Sequence, residues 1–363
     1  MDPRVRDHAE IIVDHSVKIE EGDNVLIRAP SVATDLVVAL HELLGERGAY
    51  PSTNLSEPRA DRVYRRAMDT AELETPQHSL AAAEAADVFI SIRAQENTYE
   101  TSDVDPDDNV AFSRAAKPIQ DEVMEKRWVG TQYPAPGNAQ DAELSTAAYE
   151  EFVWGAINKD WDEQREFQQQ MVEILDPADE VHIVSGDTTD LTMSVDGNPT
   201  LNDYGERNLP GGEVFTAPVP DSVEGEVLFD MPLMAQGREI TDVYLAFEDG
   251  EFVDHAAEKN EDVLTSVLET DDGARRLGEL GIGMNRDIDR FTYNMLFDEK
   301  MGDTVHMALG MAYEMTVGED NERNDSALHM DMIVDMSEDS HIAVDGDVVQ
   351  RDGTFVFEDG FEA

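Results

Sequence analysis

Apolar positions in the first third of the chain recur with two alternating periods, one helical and one extended. VRDHAEIIVDHSV (Val5 to Val17) carries a helical repeat, and DNVLIRA (Asp23 to Ala29) reads as a buried strand. SVATDLVVALHELLGERGA returns to helical spacing, with Leu36, Val37, Leu40, Leu43 and Leu44 on one stripe and a stop at Gly48. An Ala-rich helix around Leu80 to Ala86 leads into a second strand, ADVFISIRA (Ala86 to Ala94). Strands alternating with helices predict a partly parallel sheet covered by helices. No G-x-G-x-x-G follows either strand, so the dinucleotide fingerprint is absent.

The stretch from Trp128 to Trp161 opens as a Pro/Gly-containing loop, and Ser145 then precedes a helix whose Phe152 and Trp154 are expected in the core. LDPADE (Leu175 to Glu180) is short, polar and Pro-containing, and the pattern changes after it. Beyond it lie VHIVSG, LTMSVDG, GEVFTAPV, GEVLFD and ITDVYLAFEDGEFV, then a helix expected from about Asp262 to Gly281. DTVHMALG, LHMDMIVDM, HIAVDGDVVQRDG and FVFEDG close the chain, with repeated D-G hairpin signals but no fixed period. The expected fold is therefore multi-domain: an N-terminal α/β domain over 1–177 with a partly parallel sheet, and a C-terminal α+β domain over 178–363 with mainly antiparallel strands.

Few residues in this pattern invite chemistry. In DTVHMALG, strand alternation sets Thr304, His306 and Ala308 against Val305, Met307 and Leu309. In LHMDMIVD, His329 and Asp331 share a face, roughly 6–7 Å apart along the strand, where they can hold one metal. Glu213 follows a turn made by Pro210 and two glycines in NLPGGEVFTAP. Glu279 is expected near a helix end, where Arg275 and Arg276 offer it an ordinary i,i+4 or i,i+3 ion pair. His8 and His15, seven apart on the first helix, are expected at its surface or rim.

Charge changes the picture more than length does. The 363 residues hold 81 acidic and 26 basic side chains, a formal net charge of −55, yet 40% are hydrophobic, too many for a disordered acidic chain. Nucleic acid and anionic membrane surfaces are repelled by such a chain, which shows no basic patch. The only lysines are Lys18, Lys117, Lys126, Lys159, Lys259 and Lys300. Acidic excess with few lysines resembles the cytoplasmic proteins of salt-accumulating organisms such as halophilic archaea. At about 1 M salt the Debye length is roughly 3 Å, which screens the repulsion. No run of 18 apolar residues and no signal-peptide pattern is present, so a cytoplasmic location is expected. The absence of cysteine excludes disulfides, thiolate metal sites and a thiol nucleophile.

NLPGGEVFTAPVPDSVEGEVLFD, TDDGARRLGELGIGMN, LFDEKMGDTVHMALGMAY and LHMDMIVD together resemble successive blocks of the thermophilic metalloprotease (M29) family of aminopeptidases, which includes leucyl aminopeptidase and aminopeptidase T-like members. AEIIVDHSVKIEEGDNVLIRA and WVGTQYPAPGNAQDAELS resemble its earlier blocks in the same order, so the resemblance covers nearly the whole chain. The chain is shorter than usual for the family, with trimming before position 130 and in loops after Tyr313. The resemblance implies a pair of divalent ions held by Glu213, Glu279, His306, His329 and Asp331; on ligand chemistry zinc, cobalt or magnesium would suit, one carboxylate would bridge, and Glu279 is the choice for it. The resemblance also implies an active-site role for Tyr313, short peptide substrates and a homodimer. Three carboxylates and two imidazoles are the donors a two-metal hydrolase needs to activate water and polarise a scissile carbonyl. One ion would also receive the neutral α-amine, and Tyr313 would hydrogen-bond the developing oxyanion. A ligand carboxylate or a neighbouring glutamate would carry the proton. A metal-dependent amidase for a small amine-bearing compound, or a non-catalytic metal-binding protein, are the alternatives.

Overall fold

Parallel pairing organises the first of the two units into which the computed structural model divides; residues 2–71, 73–235 and 237–362 are described. This unit runs to Lys159 and also takes in Gly205–Gly211. Its strands are β1 (Asn24–Pro30), β2 (Tyr50–Ser56), β3 (Val88–Arg93) and β4 (Arg127–Gln132). They lie in the order β2-β1-β3-β4, and a two-residue strand, Asn208–Leu209, joins β4; every pairing is parallel. The helical stripe read from the sequence is the buried face of helix Thr34–Glu46, and Gly48 takes the positive φ that ends it.

Two local expectations are corrected in this unit. The segment read as a loop at Trp128 is β4, because its backbone groups pair with β3 along six consecutive residues. The strand β2 is an edge strand of polar sequence, YPSTNLS, whose pairing with β1 rather than its hydrophobicity defines it. Ser145 caps helix Thr146–Ile157 through its Oγ, and Phe152 and Trp154 are buried as expected. His8 does not lie at a rim. It falls with Val5 and Ala9 on the buried stripe of helix Pro3–Glu10, is fully enclosed, and its Nε2 meets Thr131 Oγ1 at 2.8 Å.

The second unit comprises Asp160–Tyr204 and the chain from Gly212 onward. Helix Trp161–Leu175, which precedes the boundary read at 177/178, counts with this unit, since its Gln168 donates to the backbone oxygens of Asp203 and Glu213. Eight antiparallel strands form one sheet, in the order Glu251–Ala256, Val243–Glu248, Glu224–Phe229, Thr189–Ser194, Glu180–Ser185, Ser340–Val344, Asp347–Arg351 and Thr354–Phe355. A five-stranded antiparallel sheet contains β5 (Leu201–Asp203), β6 (Glu213–Thr216), β7 (Leu277–Gly283), β8 (Thr304–Gly310) and β9 (His329–Asp335), ordered β9-β8-β7-β6-β5. Both sheets feed one hydrophobic core. Val227, Phe229 and Leu245 enter it from the larger sheet, and Leu280, Met307 and Met332 from the smaller. Strand periodicity of two therefore turns the other face of the smaller sheet away from that core.

Candidate metal centre

The face of the smaller sheet opposite the core carries Glu213 on β6, Glu279 on β7, His306 on β8, and His329 with Asp331 on β9. Glu279 does not stand near a helix end. The helix stops at Leu268, a short turn follows, and all seven residues of β7 are buried strand. Its supposed arginine partners lie elsewhere: Arg276 pairs with Asp221 and Glu251, and Arg275 with Glu251. A bulge between Leu277 and Glu279 leaves Leu277 in the core and sends Glu279 to the opposite face, beside Ala308.

Glycine at 281 allows the residues to converge. Gly281 pairs with Phe215 on one side and His306 on the other, so it separates β6 from the histidine. A Cβ there would stand 2.1 Å from both Cε1 and Nε2 of His306. The imidazole thus lies across β7 at Gly281, whose lack of a side chain lets it reach Glu213 beyond. His306 Nε2 is 3.2 Å from Glu213 Oε2 and 3.4 Å from Glu279 Oε1. On the other side, His329 Nε2 is 3.8 Å from Glu279 Oε2 and 3.5 Å from Asp331 Oδ1. Glu213, Glu279 and His306 form one triad, and Glu279, His329 and Asp331 a second, with ligand atoms in each within 4.8 Å of one another. Glu279 belongs to both.

The donor set fits two divalent ions. Glu213 Oε2 and Glu279 Oε2 are buried without a hydrogen-bond partner, a costly arrangement for carboxylate oxygens unless a cation completes it. His329 Nδ1 donates to the backbone oxygen of Met311 at 2.9 Å, which fixes the tautomer and leaves Nε2 as a lone pair facing the carboxylates. Charges crowd the inner triad. Burial alone would depress the His306 imidazole, but the Glu213 and Glu279 carboxylates beside it hold it well above its ordinary range. Burial raises Glu279, and Asp331 adds to that rise. Glu213 is instead drawn below the carboxylate range, because Lys300 and His306 outweigh its desolvation.

Tyr313 follows β8, 39% exposed, with its ring 4.9 Å from that of His329 and 6.5 Å from that of Phe215. Burial and the Glu279 charge push its phenol upward, so it stays a protonated donor at neutral pH. Two residues went unnoticed in the sequence. Lys300, completely buried, places Nζ 3.0 Å from Glu213 Oε1 and also binds Glu299. Burial pushes Glu299 up to about 8. The available signal was a lysine within DEKMGD, in a chain that has only six.

Comparison with known proteins points to one family. The family model described as thermophilic metalloprotease (M29) matches residues 1–361. Aminopeptidase 2 of Geobacillus stearothermophilus is 29% identical, over 95% of this chain and 94% of its own. Aminopeptidase T of Thermus aquaticus is 29% identical, over 96% and 95%. The solved structure of wild-type AmpT from Thermus thermophilus shares the fold, with a TM-score of 0.87 at 24% identity and coverage of 98% and 99%.

Proposed function

The chain belongs to the thermophilic metalloprotease family, M29, and on that footing we propose that it is a metal-dependent aminopeptidase releasing N-terminal residues from short peptides. The observation that carries the reading is the pair of triads joined through Glu279. Glu213, Glu279 and His306 would hold one ion, and Glu279, His329 and Asp331 the other. Divalent ions bound there would supply Lewis acidity and an activated water at neutral pH. The chain's own groups do the rest. Glu279 keeps the two positions in register from a single strand. His329 and Asp331, only half-buried, mark the side open to substrate. Tyr313, its ring 4.9 Å from that of His329, would offer a neutral phenol as donor for the oxyanion of the tetrahedral intermediate.

Zinc, cobalt and magnesium all suit carboxylate and imidazole donors. We assign the protein to a salt-rich cytoplasm on its charge of −55 and its six lysines, and to a homodimer on the family resemblance. No helix of the described residues is long and apolar enough to cross a membrane. The test is hydrolysis of amino-acid p-nitroanilides and short peptides with each metal in about 2–3 M KCl, where screening is nearly complete. The reading expects turnover that a chelator abolishes and added metal restores. Metal-dependent cleavage of small amides with rejection of every peptide would replace it with the amidase, and metal binding without any turnover with a non-catalytic protein.

A further inference from the structure

Lys300 lies between helix Met295–Asp298 and β8, beside Glu213, and is buried completely. Enclosing an ammonium is expensive unless carboxylates surround it. Here Nζ lies 3.0 Å from Glu213 Oε1, in contact with Glu299 Oε1 and 3.9 Å from Asp203 Oδ2. The Glu213 carboxylate is therefore divided. One oxygen is committed to the lysine, while the other faces His306 at 3.2 Å with no hydrogen-bond partner. The backbone that presents Lys300 is itself fixed, since its N–H donates to Phe297 O and its carbonyl accepts from Asn285 N.

Charge accounting gives the arrangement a purpose. Asp203, Glu213 and Glu299 surround the ammonium, and Glu279 and Asp331 complete the carboxylates of the centre. Metal ligation would require ionised carboxylates and neutral imidazoles; the lysine then offsets one carboxylate charge, and divalent ions would meet the rest. Resting on the two-metal reading above, we propose that Lys300 is a permanent third cation of the centre, a positioning residue that keeps Glu213 gathered in place when metal is absent. Metal then enters a site whose first carboxylate already offers a single free oxygen.

Lysine and metal consequently do overlapping work, so removing both should cost more than the separate losses predict. The experiment measures thermal unfolding in about 3 M KCl of the wild type, Lys300→Gln, Lys300→Met and Lys300→Arg, each with chelator and with zinc alone. Lys300→Gln keeps an N–H donor for Glu213 without the charge. The expected result is a midpoint lowered by roughly 6–10 °C in the metal-free Gln and Met variants, with zinc recovering most of that loss and so giving these variants a larger zinc-induced shift than the wild type. Lys300→Arg, which retains the cation, should lie nearer the wild type. A variant that folds only with zinc supports the proposal equally. Equal losses with and without zinc, including failure to fold in both, would assign Lys300 to packing and overturn it. A wild type whose midpoint ignores zinc and which binds none would instead overturn the two-metal reading itself.

Discussion

His8 in the first unit and His306 in the second are both fully enclosed, yet their surroundings push them in opposite directions. Around His8 stand a threonine hydroxyl and the edge of Trp154, whose ring centroid is 5.4 Å away; burial pushes the imidazole down to about 3. Around His306 stand two carboxylates, and the imidazole is driven upward. Burial alone therefore does not define a site. A neutral imidazole with one hydroxyl at Nε2, its Nδ1 enclosed and unpartnered, has no charge beside it for a cation to answer, whereas an imidazole among unpartnered carboxylate oxygens leaves room for one.

The comparison breaks most visibly on alanine. His306→Ala should lower kcat by roughly 10³ or more, with circular dichroism nearly unchanged, because a donor is removed from a preorganised electrostatic centre. His8→Ala should leave kcat per folded molecule within about twofold while lowering stability by about 2–4 kcal/mol through the cavity it opens. Parallel turnover and urea unfolding decide the matter, and a similar activity loss in both variants would erase the distinction.

Tyr313 sharpens it at the rim of the same centre. Tyr313→Phe should reduce kcat and kcat/KM together by roughly 10²–10³, as for loss of an oxyanion donor, with bound metal unchanged. Wild-type kcat in this variant would make the tyrosine a packing partner of the His329 ring.

Glycines in the two units provide a milder contrast. The added methyl of Gly281→Ala falls on the His306 ring and should weaken zinc binding by at least about tenfold, a shift of some 1.4 kcal/mol. Gly155 lies in helix Thr146–Ile157 with nothing within 4 Å of a new Cβ. Gly155→Ala should stabilise the protein by up to about 1 kcal/mol and leave zinc affinity alone. Chelator competition and thermal unfolding of both variants test this, and unaltered zinc affinity in Gly281→Ala would show that His306 does not need to cross the strand.

The outer half of the centre was legible in the sequence because it depends on periodicity. His329 and Asp331 alternate with Met330 and Met332, and the burial of β9 follows that alternation at these four residues. The inner half was not, for reasons of pairing. LGELGIG lacks alternation because both faces of β7 are covered and a bulge shifts its phase, so local pattern placed Glu279 on a helix. Family resemblance, not periodicity, brought Glu213 and Glu279 to the histidines. Lys300 escaped notice because its burial depends on carboxylates from β5 and β6, far away in the chain. Likewise β2 is a strand through its neighbour and not its composition. His8 was readable, since Val5, His8 and Ile12 repeat at helical spacing and all three are buried.

The smallest effect concerns how His8 couples to pH. Its folded value of about 3 lies far below the unfolded imidazole at 6.5, so between these limits the unfolded chain binds the extra proton. Stability from this group is present above 6.5 and drains away as pH falls toward 3. Between pH 7 and 5.5 the linkage amounts to about 1.3 kcal/mol, nearly all of it from protonation of the unfolded state. A chain with 81 acidic residues has many other proton-linked terms, and neutralising its surface at low pH pushes the opposite way. The measurement must therefore be a difference. His8→Gln retains a side-chain partner for Thr131 but cannot titrate. Urea unfolding of wild type and His8→Gln at constant KCl and zinc should show the wild type losing about 1.3 kcal/mol more than the variant from pH 7 to 5.5. Identical pH dependence would mean that His8 takes up its proton as readily in the folded protein as outside it, and the contrast with His306 would then lose its electrostatic basis.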